Sequence, residues 1–533
     1  MAAESPLDRA ESSGYPSAPP APGRNESRPQ PARPIADLDP PTPPLPSRSQ
    51  LVGLVAGLAA FGVLLVLPAP DGLEPAGWRA AAVAVLMAVW WMTEALPIAA
   101  TSLVPIALFP LVGVAPVGDA AGPYANPIIF LFLGGFLLAK GMERWGLHRR
   151  LALGVIARVG TEPRRIVLGF MLAAGLLSMG ISNTATAVML LPIALSVVEL
   201  ARRDEVGSEA DDRSFALVLM LGVAYACSVG GLATLVGTPT NALLAGFVAE
   251  TYGADLSFAG WLAVGLPLAV VGLAVVYGML TRVVFPVRLA SIPGGRAFVR
   301  ERLRALGPLA VPERRVAVVF GTVAVLWVAR PLLEAVVGGL SDAGIAIAGA
   351  LALFALPAGG ARPGTRLLDW ETARTLPWGV LLLFGGGLSL AAAIADTGLA
   401  AWLGGRLAGA GALPTWALVG LVVALIVVLT ELTSNTATAA AFLPVLAALA
   451  GSTETDPLLL LVPATAAASC AFMLPVATPP NAIVFGSSHV SIREMARAGL
   501  WLNVVFVVVV TAATLVLVPL LTGTALPDLP PRP

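Results

Sequence analysis

The chain has 533 residues, 57% of them hydrophobic and 12% charged, with a mean hydropathy of +0.85. That is more apolar surface than one water-soluble core could hide, so composition predicts a polytopic membrane protein. The formal net charge is zero and Lys140 is the only lysine, which argues against a nucleic-acid partner.

Residues 1–49 are rich in Pro, Ser, Ala and Arg and lack an apolar run, so they predict a disordered cytoplasmic tail rather than a signal peptide. Apolar runs able to cross a hydrocarbon core of ~30 Å then begin near residues 51, 76, 97, 126, 214, 258, 313, 341, 377, 457 and 500. These predict an all-α polytopic protein with eleven transmembrane helices, the first within 50–75. Two more apolar stretches, 165–200 and 417–450, are each interrupted near the centre by Ser-Asn-Thr.

Loops with clustered Arg, such as 144–150, 162–165, 201–213 and 282–315, alternate with loops that carry acids and no base, at 250–257, 338–344 and 451–457. The positive-inside rule places the first set in the cytoplasm and the second outside. Counting from a cytoplasmic N-terminus satisfies all of them if 165–200 and 417–450 do not cross. Both are therefore expected to be re-entrant hairpins, the first entering from the cytoplasm and the second from outside. A turn inside the membrane must line a cavity buried in protein, because lipid offers its backbone no hydrogen bonds.

The hairpins are copies. Between Ser182–Pro192 and Ser434–Pro444, eight of eleven positions are identical at an offset of 252, and Gly134-Gly135 recurs at the same offset as Gly386-Gly387. After each hairpin comes a span broken by GTPTNA (237–242) or ATPPNA (477–482), at an offset of 240. Each copy holds five spans and a hairpin, and the odd count inverts the second against the first. The expected organisation is inverted repeat 1 over 76–284, a basic cytoplasmic linker over 285–312, inverted repeat 2 over 313–522 and an external tail over 523–533. Inverted repeats with discontinuous mid-membrane helices are a mark of secondary transporters.

Other chemistry is thin. Cys227 and Cys470 lie in apolar stretches, His148 and His489 are far apart without metal-ligand spacing, and no nucleotide-binding, HExxH or GxSxG motif stands where it could work. No enzyme is expected. Glu94, Glu143 and Glu431 flank the repeated elements and are open to a structural or a functional role. Helices restarting after each Ser-Asn-Thr and Thr-Pro point positive dipole ends into the cavity, suiting an anion, while Ser and Asn oxygens with freed carbonyls suit a small hard cation such as Na⁺. A lone Ser-Asn-Thr would be unremarkable; two copies at matching breaks argue for a site.

SMGISNTATAVMLLP, GTPTNA, TELTSNTATAAAFLP and MLPVATPPNA resemble the divalent anion:sodium symporter family, carriers of Krebs-cycle dicarboxylates, citrate or sulfate, and the resemblance covers about residues 51–522. It implies a homodimer working as an elevator. The scaffold would hold the first four spans and those near 313, 341 and 377, and the moving domain would hold the hairpins and remaining spans. One Na⁺ would be bound by Ser182, Asn183 and the carbonyls of Ser178 and Gly237, the second by Ser434, Asn435 and the carbonyls of Thr430 and Ala477. Substrate carboxylates would lie on Asn183, Thr184, Asn435 and Thr436, beside Thr238, Thr478 and Pro479. Thr240 departs from the repeat, standing where the second copy has Pro480.

The expected function is Na⁺-coupled symport of C4-dicarboxylates such as succinate, malate or fumarate across a bacterial inner membrane, with the N-terminus cytoplasmic and the C-terminus external. A Na⁺-independent exchanger or a sulfate transporter of the same fold is the near alternative, and an anion channel the alternative of another class.

Overall fold

The computed structural model describes residues 47–160, 162–203, 209–289, 292, 295–334, 336–359, 364–407, 413–524 and 526–530. The tail expected over 1–49 therefore falls, except for its last three residues, outside the described residues. Those three belong to the start of the first helix.

In chain order the helices are α1 (Arg48–Val66), α2 (Pro75–Thr93), α3 (Ile98–Thr101), α4 (Val104–Val112), α5 (Val117–Ala121), α6 (Pro127–Arg144), α7 (Leu147–Val159) and α8 (Pro163–Ser178). There follow α9 (Asn183–Arg203), α10 (Glu209–Gly231), α11 (Pro239–Tyr252), α12 (Phe258–Gly278), α13 (Gly295–Ala305), α14 (Val311–Leu333), α15 (Asp342–Ala355) and α16 (Trp370–Ala373). The last are α17 (Trp378–Asp396), α18 (Leu399–Leu407), α19 (Thr415–Thr430), α20 (Asn435–Ser452), α21 (Leu458–Ala468), α22 (Pro479–Phe485) and α23 (Ile492–Leu521). Among the described residues there is no β-strand, only two isolated bridges.

The starts of these helices are legible in their chemistry. Pro75, Pro127, Pro163, Pro239 and Pro479 open α2, α6, α8, α11 and α22, where a missing N–H costs nothing. Ser47 with Gln50, and Ser491 with Glu494, form reciprocal capping boxes at α1 and α23.

Among the described residues ten helices are long and apolar enough to cross a membrane, and two of these, Asn183–Arg202 and Asn435–Ser452, are the limbs that follow the Ser-Asn-Thr motifs. The other eight, with the shorter apolar helices at Ile98–Val112, Asp342–Ala355 and Leu458–Ala468, coincide with the eleven predicted runs.

The duplication holds at the level of helix boundaries. α8 and α19 begin 252 residues apart, as do α9 and α20, while α11 and α22 begin 240 apart. Gly146 and Gly398, also 252 apart, take φ of 74° and 71° at the turns leading into α7 and α18, a region that costs a side chain strain. The repeated glycine pairs let helices approach closely. A Cβ on Gly134 would lie 2.6 Å from the Cβ of Ala346 on α15, and one on Gly386 would lie 2.8 Å from Cα of Ser102 at the end of α3. At the centre of the packing is α10, buried along nearly its whole length.

Three arginines tie the helix ends. Arg150 binds Glu313 at 3.0 Å and the carbonyls of Leu306, Gly307 and Pro308, fixing α7 against the start of α14. Arg330 reaches Asp342 at 3.1 Å and Asp255 at 2.5 Å, and Asp342 also accepts the backbone N–H of Phe258 at 2.7 Å. Arg144 pairs with Asp369 at 2.5 Å. Two flanking acids have local roles: Glu143 pairs with Lys140 at 2.7 Å, and Glu94 is the exposed left-handed cap of α2.

Candidate functional site

Each Ser-Asn-Thr lies at the junction of two packed helices, α8 with α9 and α19 with α20. Thr-Pro stands where a helix restarts after an unwound stretch, 232–238 between α10 and α11 and 469–478 between α21 and α22. The packing is crossed: α9 lies against α22, and α20 lies against α11. The second limb of each hairpin is thus packed on the helix that follows the other copy's break, and with Asn183 beside Gly237, Thr430 beside Ala468 and Thr240 beside Ser469 the motifs gather in one region.

An unwound stretch buried in protein must have its freed backbone groups satisfied. In the first break Asn241 does much of this, its side-chain amide donating to the carbonyls of Gly231 at 3.1 Å, Leu232 at 3.3 Å and Thr234 at 2.9 Å. The indole N–H of Trp261 donates to Leu232 at 2.9 Å, and the Thr234 hydroxyl donates to the Met179 carbonyl at the hairpin tip. In the second break Asn481 repeats the role of Asn241, donating to the carbonyls of Ala471 and Leu474, both at 3.1 Å. The remaining groups there are held differently. Glu431, 5% exposed, accepts the backbone N–H groups of Phe472, Met473 and Leu474 and the side-chain amide of Asn503. Both breaks are backed by a glycine on the next long helix: a Cβ on Gly265 would collide with the Leu232 carbonyl, and one on Gly499 would lie 2.5 Å from Cα of Met473.

The first tetrad and the first break together make a cradle of oxygens. The Asn183 side-chain oxygen is buried and has no hydrogen-bond partner among the described residues. A Cβ on Gly231 would lie 3.0 Å from that oxygen and 3.1 Å from the carbonyl oxygen of Gly237, and a Cβ on Gly237 would lie 2.9 Å from the carbonyl oxygen of Ser178. Asn183, Ser178 and Gly237 are thus brought together around a space that two missing side chains leave open, with Gly231 as an added member. These are neutral, hard oxygens that suit a small cation. Ser182 contributes differently, its hydroxyl accepting the N–H of Ala185 at 3.1 Å as a local cap.

The second tetrad is arranged otherwise. The Thr430 hydroxyl lies 2.7 Å from both the side-chain oxygen of Asn435 and the carbonyl of Ala468, and its one proton serves one of them at a time. Ser434 precedes α20 with extended backbone and makes no side-chain cap, and Ala477 is buried at the end of the second break.

Of the expected substrate residues, Asn183, Asn435 and Thr436 are half-buried and Thr184 is exposed at its helix start. Thr238 and Thr478 are buried, the latter accepting the N–H of Asn481 at 3.3 Å, and Pro479 is exposed. The departure at Thr240 has a physical correlate, since its hydroxyl meets that of Ser469 at 2.9 Å and joins the two breaks directly. The Tyr225 hydroxyl also crosses between copies, donating to the Phe472 carbonyl at 2.6 Å.

Sequence reasoning missed Asn241, Asn481, Trp261, Asn503 and Gly231. The first two carried a signal, recurring as the Asn of Thr-Pro-x-Asn, and Trp261 recurs as Trp501 at the same offset of 240; Asn503 and Gly231 correspond to Ala263 and Ala471 there and had nothing to mark them.

The family described as "Sodium:sulfate symporter transmembrane region" matches residues 48–522. The chain belongs to this family. The sodium:sulfate symporter family is one of membrane transporters, and the chain is a multi-pass membrane transporter, not an enzyme. Among its relatives, the sodium-dependent dicarboxylate transporter SdcS of Staphylococcus saprophyticus is 43% identical over 479 residues, covering 89% of this chain and 92% of the relative. The protein of the same name from Staphylococcus aureus is 41% identical over 482 residues, covering 90% and 93%. In fold the chain is similar to the YdaH transporter of Alcanivorax borkumensis (TM-score 0.55, 17% identity, 91% of this chain and 100% of that one). It is likewise similar to MtrF of Neisseria gonorrhoeae (TM-score 0.55, 13% identity, 88% and 94%).

Proposed function

We propose that the protein imports C4-dicarboxylates, such as succinate, malate or fumarate, with Na⁺ across a bacterial plasma membrane. The observation that carries this reading is the cradle around Asn183, an unpartnered buried oxygen facing backbone carbonyls across two glycines, at the start of a helix packed on the one that follows the opposite break. The names of the Staphylococcus relatives support the same choice of ion and substrate class.

In this reading Na⁺ is a co-substrate. Ser178, Ser182, Asn183 and Gly237 hold one ion; Thr430, Ser434, Asn435 and Ala477 hold the other. No Arg or Lys lies in either tetrad or break. The anion is therefore held by the neutral donors Asn183, Thr184, Asn435 and Thr436, with Thr238, Thr478 and Pro479 beside them, by helix starts and by the bound cations. Two such ends suit a substrate with a carboxylate at each end. The repeats over 76–284 and 313–522 run in opposite senses, joined by a cytoplasmic linker over 285–312, and the transport unit moves as an elevator against its scaffold in a homodimer.

The deciding measurement is uptake of labelled succinate into proteoliposomes with and without an inward Na⁺ gradient. Stimulation by Na⁺, with competition by unlabelled succinate far stronger than by butyrate, is expected. Uptake indifferent to Na⁺ overturns the coupling, and competition by sulfate alone overturns the substrate class. Cysteines at Arg304 and Thr453, in a chain lacking Cys227 and Cys470, are expected to label from the cytoplasmic and external faces respectively; labelling from one face overturns the inverted arrangement.

A further inference from the structure

A cavity of about 480 Å³ opens along α9 where that helix meets α7 and α13. Val188, Met189, Pro192 and Ile193 form its apolar wall and Ser196 its far end, while Arg149 from α7 and Arg302 from α13 bring two positive charges to it. Among the described residues no carboxylate lines it, and neither arginine forms an ion pair. The Arg302 guanidinium instead stacks over Phe298 at 5.1 Å.

The wall runs along the helix that begins at the first tetrad. Thr184, Val188, Pro192 and Ser196 follow one another at four-residue spacing and so share a face of α9. At 1.5 Å per residue, Ser196 lies about 18 Å along the helix from Thr184. This face is open: Val188 is 55% exposed, and Thr184 and Pro192 are exposed as well. The same face of the second hairpin is shut. Ala440, Pro444 and Ala448 stand 252 positions after Val188, Pro192 and Ser196, and all three are buried, because α20 is packed beneath α2, α11, α17 and α18. Two copies with one sequence pattern thus differ in what covers them, and of these two faces the first is the one left open.

We propose that this cavity is the cytoplasmic leg of the substrate path, open in this conformation, and that Arg149 and Arg302 form a rim that gathers dicarboxylate at its mouth. The proposal rests on the transport reading above. Fixed charges of one sign beside low-dielectric walls raise the local concentration of an opposite charge, and the effect weakens with salt. An apolar wall below the rim gives a dianion no place to bind, so the arginines speed its arrival without trapping it in transit. An anionic lipid headgroup would present the same chemistry to the same arginines, and the test separates the two.

Labelled succinate transport is measured in inside-out and right-side-out membrane vesicles for the full chain, Arg149→Gln, Arg302→Gln and the double variant, at saturating Na⁺. The double variant is expected to raise the half-saturating succinate concentration about threefold to tenfold from the cytoplasmic face and to leave it unchanged from the external face, with the difference shrinking at high ionic strength. Arg149→Lys with Arg302→Lys keeps the charge and is expected to match the unmodified chain. Equal changes from both faces, or no change from either, overturn the rim. So does an effect that follows the phosphatidylglycerol content of reconstituted vesicles at fixed succinate, which assigns the arginines to a lipid. Absence of Na⁺-dependent transport in the unmodified chain would instead count against the transport reading alone.

Discussion

The carboxylate of Glu431 accepts the side-chain amide of Asn503 at 2.7 Å and, on the same oxygen, the backbone N–H of Phe472 at 2.7 Å. With Met473 and Leu474 it holds the freed amides of the second break, so removing it strands several buried donors. In detergent, thermal stability is expected to fall from the native chain to Glu431→Gln to Glu431→Ala, the last losing about 3 kcal/mol. A Gln variant as stable as the native chain would show that the charge contributes nothing there.

Gly231→Ala places a methyl beside the Asn183 side-chain oxygen and the Gly237 carbonyl, filling the cradle without removing any oxygen. The Na⁺ concentration for half-maximal uptake is expected to rise at least about tenfold, the equivalent of about 1.4 kcal/mol in ion affinity. The rise in melting temperature that Na⁺ confers on the purified protein is expected to shrink with it. An unchanged Na⁺ response would move the first ion site elsewhere.

Arg330→Met leaves the buried carboxylate of Asp342 without its ion-pair partner, which typically costs about 3 to 5 kcal/mol. Adding Asp342→Asn removes the charge while keeping an acceptor for the N–H of Phe258. The double variant is expected to regain most of the lost stability by chemical or thermal unfolding. Equal loss in single and double variants would refute the pairing argument.

Asp369 lies in a loop, where the Arg144 guanidinium first, and then the N–H and hydroxyl of Thr372, hold its carboxyl down to about 2. A depressed carboxyl contributes stability above its unfolded value of about 3.9 and loses it as pH falls through its folded value. Asp369→Asn is therefore expected to melt slightly lower than the native chain at pH 7, with the difference closing from about pH 4 towards pH 2. A difference independent of pH would mean that the side chain acts as a neutral cap.

The sequence announced the tetrads, the breaks and their offsets because a duplicated requirement leaves a duplicated pattern. What it did not announce is how each break is made tolerable to its surroundings. The freed carbonyl of Leu232 takes a donor beside Asn241, and the Trp261 indole supplies it from 29 residues away. The freed amides at 472–474 need an acceptor, and Glu431 supplies it from about forty residues away. Glu431 has Met179 at the matching position of the first copy, and Trp261 recurs only as Trp501, which is 54% exposed, so the pattern alone does not reveal either bond. Helix positions were legible for the same reason that crossing was not: hydropathy fixes an apolar run, while the limbs Asn183–Arg202 and Asn435–Ser452 have a span's length whether or not they cross.

The hydroxyl contact between Thr240 and Ser469 has a consequence for how the molecule is made. α11 is packed on α20 and α21, and α9 on α22, so the first half rests on partners that leave the ribosome about two hundred to three hundred residues later. Through most of synthesis the nascent chain waits in the bilayer with an incomplete polar interior, shielded only by lipid and insertion machinery. The last hundred residues complete both halves at once, which makes C-terminal truncations failures of assembly rather than partial transporters.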